Sequence, residues 1–101
     1  MTTRIVVPGR IDRLSVRAAL GEELEFSVAS DEITDWMART NSRPADLELM
    51  GIQPATPDEQ RHFVAIPWKR GRHIVRLEQR RLEGPPNGVA IHSVVIEIQA
   101  A

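Results

Sequence analysis

Three histidines, His62, His73 and His92, are the residues of this 101-residue chain best suited to hold a metal. Imidazole nitrogens are good zinc ligands, and three of them on neighbouring strands would supply most of a tetrahedral site. Such sites are usually marked by tight spacing, a His-x-His pair followed by an acid, and no such spacing occurs here. His73 shares a face with Val75 and Leu77, so it reads as a hydrogen-bonded, partly buried histidine, and no metal or other cofactor is expected. Nucleophilic catalysis has as little support. Ser27, Ser30 and Ser93 have no glycine elbow around them, no acid–base pair is marked by spacing, and the chain has no cysteine and so no thiol. The chemistry to expect is binding, not catalysis.

What could bind is set by charge and by large apolar side chains. The net charge is −1, which draws the molecule as a whole to neither nucleic acid nor acidic membranes. The distribution is less even. Residues 1–60 hold six arginines against eleven acids, a balance of −5, whereas residues 61–83 hold seven basic residues against Glu78 and Glu83, a balance of +5. Read plainly, these are two solvated faces of opposite sign; read more sharply, the basic stretch takes an anionic partner. Trp36 and Trp68 are the largest apolar side chains, in a chain without tyrosine. Trp68 reads as a core residue, while Trp36 reads either as core or as an interface anchor. Four aromatic residues are too few for a carbohydrate platform, and the run from Arg76 to Arg81 contains none to stack against nucleic-acid bases.

The elements that must position these residues are strands. Leu14 and Val16 alternate with Ser15 and Arg17, and Leu24, Phe26 and Val28 alternate with Glu25 and Ser27, the pattern of half-buried strands. Two further strands are expected over 62–68, with Phe63, Ile66 and Trp68, and over 73–77, with Val75 and Leu77, joined by a hairpin turn at Lys69-Arg70-Gly71-Arg72. A last strand carries Val94, Ile96 and Ile98 on one face. Gly and Pro gather between these runs, from Gly51 to Pro57 and from Gly84 to Gly88. The expectation is an all-β, immunoglobulin-like antiparallel β-sandwich in one domain over 1–101, with 1–10 a loosely packed segment or an edge strand. Its core is Leu24, Phe26, Val28, Phe63, Val75, Leu77, Val94, Ile96 and Ile98. One segment admits two readings: Ile33, Trp36, Met37 and Thr40 fit one face of a short helix near 31–40, or the chain loops through Asp35 and enters a strand from Trp36 to Thr40. The run Ile5-Val6-Val7 is too short for a signal peptide or membrane anchor, so the chain as written is expected in the cytoplasm, or in a secreted or periplasmic setting if a leader has been removed.

The stretch Leu20-Gly21-Glu22-Glu23-Leu24-Glu25-Phe26-Ser27-Val28 resembles the glycine-acid turn into a strand found among immunoglobulin-like domains. The order of features after it is similar to the chagasin family, immunoglobulin-like inhibitors of papain-type cysteine proteases. The family's NPTTG loop and following aromatic correspond to Asp31-Glu32-Ile33-Thr34-Asp35-Trp36, which keeps Thr34 and the aromatic Trp36. Its Arg-Pro-Trp loop corresponds to Arg81-Leu82-Glu83, which keeps the arginine, and its glycine-rich middle loop to the proline-rich Gln53-Pro54-Ala55-Thr56-Pro57-Asp58. The resemblance spans roughly residues 11–99. It implies a binding site on three adjacent loops, with partner-contacting residues Asp31, Thr34, Trp36, Gln53, Pro54, Arg80, Arg81, Leu82, Pro85 and Pro86. The implied partner is another protein, a papain-like cysteine protease, bound by a monomer or weak homo-oligomer. The alternative is a structural or accessory immunoglobulin-like domain that docks or self-associates through opposed acidic and basic faces.

Overall fold

A computed structural model describes residues 2–29, 34–52, 60–81 and 91–101. Through them run β1 (Thr2–Val6), β2 (Arg13–Ala18), β3 (Glu23–Val28), β4 (Thr34–Thr40), β5 (Leu47–Ile52), β6 (Arg61–Pro67), β7 (Gly71–Arg81) and β8 (His92–Ala100). One sheet has the order β1-β3-β6-β5 and the other β2-β8-β7-β4. The fold is an all-β sandwich of the immunoglobulin-like kind. Its two N-terminal strands are edges: β1 adds to β3 and β2 adds to β8, both in parallel, while the remaining pairs are antiparallel.

Period-two alternation builds this arrangement. Leu24, Phe26 and Val28 of β3 turn inward, as do Val75 and Leu77 of β7 and Val94, Ile96 and Ile98 of β8, and all are buried in one cluster with Phe63. Burying side chains of this size contributes about 1.5–3 kcal/mol apiece, so these positions carry most of what holds a domain of this length together. Val7, Ala18, Trp36, Leu47 and Ala65 complete the cluster, and Ile5 packs against it from β1.

One open reading is decided and two expectations are corrected. Of the two readings near residues 31–40 the strand holds, and it begins at Thr34, ahead of the Trp36 start expected. Thr34, Trp36, Ala38 and Thr40 share one parity, Thr and Trp favour the pleated surface, and β7 gains a pairing partner along its length. Met37, a member of the supposed helical stripe, is 49% exposed. The Lys69–Arg72 turn is not a hairpin. β6 and β7 lie in different sheets, so the turn carries the chain across the sandwich, while the antiparallel sequential neighbours are β5 with β6 and β7 with β8. Trp68 is not core. It stands just beyond β6 and is 51% exposed, its ring lying against Gly21. That glycine has φ +78° and a Cβ there would sit 3.3 Å from the indole, so the turn needs the residue for both reasons.

The registers place the chain connections at two ends. One end holds residues 19–22, 41–46 and 68–70. There Gly21 N donates to Pro67 O (2.7 Å), and Trp68 N (2.8 Å) and Lys69 N (3.2 Å) both donate to Asp46 O. His73, buried, donates from Nε2 to Lys69 O (2.8 Å) and accepts at Nδ1 from the Ser42 hydroxyl (2.9 Å), in keeping with its shared face with Val75. The opposite end is the functional candidate.

Candidate functional site

Four strand ends define this second end. Val28 pairs with Arg61 and Ile52 with His62 in one sheet; Thr34 pairs with Arg81 and Gln79 with His92 in the other. The segments 30–33, 53–59 and 82–90 therefore all depart from the same end of the sandwich. Asp31, Gln53, Pro54, Leu82, Pro85 and Pro86 lie outside the described residues.

The described candidates divide into platform and surface. Thr34 is buried in β4, where its hydroxyl accepts from Gln79 Nε2 (2.9 Å). Trp36 is 6% exposed, so it is not the exposed interface anchor that the sequence left open. Its strand parity turns the indole inward, Nε1 donates to Ala29 O (2.9 Å), and the ring meets the His92 ring at 5.8 Å in a near-perpendicular arrangement. Trp36 thus fastens the outgoing chain of β3 to β4. Arg80 is half-buried against Glu78, whereas Arg81 is exposed at the end of β7.

One link across the sandwich had no signal in local sequence spacing. Arg61 of β6 reaches Asp35 of β4 (3.5 Å), with its own side chain only 13% exposed and its guanidinium 5.9 Å from the Phe63 ring centre. Asp35 also accepts from the backbone N–H of Trp36 (2.9 Å). The Asp35 that stands where the resembling family has glycine therefore ties the two sheets together. Arg61 Nε is buried and finds no acceptor among the described residues. Beside this link a recess of about 220 Å³ opens between Pro8 and Val28 on one side and Trp36, Gln79 and His92 on the other.

Among the described residues, the one place where serine, histidine and an acid meet does not form a serine relay. Ser27 Oγ lies 3.0 Å from His62 Nδ1, and Glu25 Oε1 lies 3.3 Å from that same nitrogen. A serine relay needs the acid on the imidazole nitrogen opposite the serine, so this trio cannot pass a proton along. His92 Nε2 donates to Ile11 O (3.0 Å). The three histidines serve three separate neighbourhoods, and among the described residues no group of His, Asp and Glu can hold a metal ion.

The outer faces of the sheets differ in sign. On β1-β3-β6-β5, Glu23, Glu25 and Glu48 face outward against Arg4. On β2-β8-β7-β4, arginines dominate. The basic stretch of the sequence is not one surface: Arg61 turns inward, Lys69 and Arg70 sit at the opposite end, and Arg72, Arg76 and Arg80 join Arg13, Arg17 and Arg39 on one face. The last three were missed in sequence because β2 and β4 are distant in the chain, although their parity opposite the apolar residues marks them.

No family model and no curated protein matches the sequence. Solved structures do match in shape. The cysteine protease inhibitor EhICP2 from Entamoeba histolytica superposes with a TM-score of 0.75 at 12% identity, covering 99% of this chain and 97% of that one. PbICP-C, solved in complex with falcipain-2, gives 0.73 at 9% identity over 97% of this chain and 98% of that one. Domains 4 and 5 of the S-layer protein SbsC give 0.61 at 8% identity over 86% of this chain and 41% of that one. The chain shares the fold of chagasin-like inhibitors, and that fold also occurs in proteins of another kind.

Proposed function

We propose that the chain is a protein-binding module acting through the segments that leave the Val28, Thr34, Arg61 and Arg81 end, and that its partner is a papain-type cysteine protease. One observation carries this reading: the strand ends flanking all three segments meet at one end and are tied across the core by Asp35 and Arg61. The fold shared with two protease inhibitors supplies the class of partner. A protease cleft is filled well by adjacent loops on a rigid base, because loops already held in place lose less entropy on docking. In this reading Asp31, Gln53, Pro54, Arg81, Leu82, Pro85 and Pro86 make the contacts. Thr34, Trp36 and Arg80 hold the platform beneath them.

The test is titration of a papain-like enzyme with the purified chain to about 10 μM. Reversible inhibition is expected, weakened at least about tenfold when Arg81, Pro85 and Pro86 are replaced together by alanine. Full enzyme activity throughout the titration would overturn the protease reading.

A further inference from the structure

The outer face of the β2-β8-β7-β4 sheet carries more positive charge than its own acids can neutralise. Arg13, Arg17, Arg39, Arg72, Arg76 and Arg80 stand on it, and its described acids are Asp35, Glu78 and Glu97. Asp35 is taken by Arg61 of the other sheet. Each glutamate is clasped by two arginines: Glu78 by Arg80 (2.6 Å) and Arg39 (3.2 Å), Glu97 by Arg13 (2.9 Å) and Arg72 (3.2 Å). The hydrogen bond from Arg80 holds the Glu78 carboxyl below the ordinary glutamate range, and the one from Arg13 does the same for Glu97. Both acids are therefore ionised and already committed. Arg76 and Arg17 are exposed and form no ion pair among the described residues.

Register makes this excess local. Arg39 is directly opposite Arg76, Arg76 is opposite Val95, and Val95 is opposite Arg13, so one row across four strands reads Arg-Arg-Val-Arg. At about 4.8 Å between strands, the three arginine stems fall within about 15 Å. Like charges directly opposite each other oppose strand pairing, and an anion seated between them relieves the repulsion. A hollow of about 130 Å³ lies at this place, walled by Arg39, Thr40, Asn41, Ile74, Arg76 and Glu78. Among the described residues no aromatic side chain shares the face, so nucleic-acid bases would find nothing there to stack on. A carboxylate between two guanidiniums is an arrangement the face already makes twice.

We propose that this face is a second docking surface, for an acidic segment of polypeptide whose carboxylates are taken between Arg39 and Arg76. Its Arg39–Arg76 centre lies along the strands and away from the strand ends that bear the loops, and it is read by peptide binding and not by enzyme inhibition, so either proposal can fail without the other. The probe is a fluorescently labelled peptide of alternating Glu and Ala, titrated with the intact chain between about 0.05 and 0.3 M salt. Binding should weaken steeply with salt. Arg76→Glu should reduce affinity at low salt at least about tenfold while leaving the melting temperature little changed, because the attraction gained opposite Arg39 offsets the repulsion from Glu78 beside it on β7. Arg70→Glu, with the same change of charge at the far end of the molecule, should cost less than about twofold. Undiminished binding by Arg76→Glu overturns the proposal, and so does an equal loss in both variants. Tighter capture of single-stranded DNA of equal charge, or salt-dependent self-association without peptide that Arg76→Glu abolishes, would give the face to a different occupant and overturn it as well.

Discussion

Where Gly21, Asp46 and Trp68 meet, the chain crosses between sheets through short connections closed by main-chain hydrogen bonds. Pro67 O and Asp46 O are taken by Gly21, Trp68 and Lys69, and Ser42 and Lys69 are both engaged by His73. At the other end the described residues are held by main-chain bonds, Val7 N to Ser27 O and Ile91 N to Gln79 O, and by side chains: Asp35 to Arg61 across the sheets, Trp36 to Ala29, and Gln79 to Thr34. At the first end the three connections bond to one another and to the strands through the main chain. The second fixes its strand ends through side chains that lie within the strands, and a rigid base of this kind is what a scaffold needs beneath recognition loops. The two tryptophans follow this division. Trp36 stabilises the end with the long connections from inside, while Trp68 lies over the closed end from outside.

Truncating the tryptophans breaks the comparison most sharply. Trp36→Ala should destabilise the chain by about 3–5 kcal/mol, the cost of emptying a buried aromatic site, which is much of the stability of so small a domain. Trp68→Ala should cost less than about 1 kcal/mol. Denaturant titration of both variants measures this, and equal losses would mean that the two ends are built alike. Asp35→Ala is a finer probe of the second end. It leaves the mostly buried Arg61 guanidinium without its acid and should cost about 1 kcal/mol, kept modest because Asp35 itself is partly solvated. A melting temperature unchanged by Asp35→Ala would show that the sheets need no tie at that end.

Much of the interior was legible in sequence, because alternation reports which face of a strand is buried. Leu24, Phe26 and Val28 or Val94, Ile96 and Ile98 can point together only if the strand is half-buried. Strand ends were harder. Nothing in the alternation says that β6 stops at Pro67, so the pattern carries Trp68 into the core it just misses. The segment 34–40 fits two periods at once, and only the presence of β7 beside it decides between them. The site was legible as a set of segments but not as chemistry. The tie between Asp35 and Arg61, and the row joining Arg39, Arg76 and Arg13, link residues far apart in the chain whose meeting depends on sheet order. A linear count of charge merged Arg61, Arg70 and Arg76, which point in three directions.

The claim that recognition belongs to the end bounded by Val28, Thr34, Arg61 and Arg81 is tested most directly by amide hydrogen exchange of the chain with and without a saturating papain-like protease. Slowed exchange is expected across residues 29–34, 53–60 and 82–91, with amides of 19–22, 41–46 and 68–70 unchanged. Slowed exchange confined to 19–22, 41–46 and 68–70, or none anywhere at saturating protease, would contradict it.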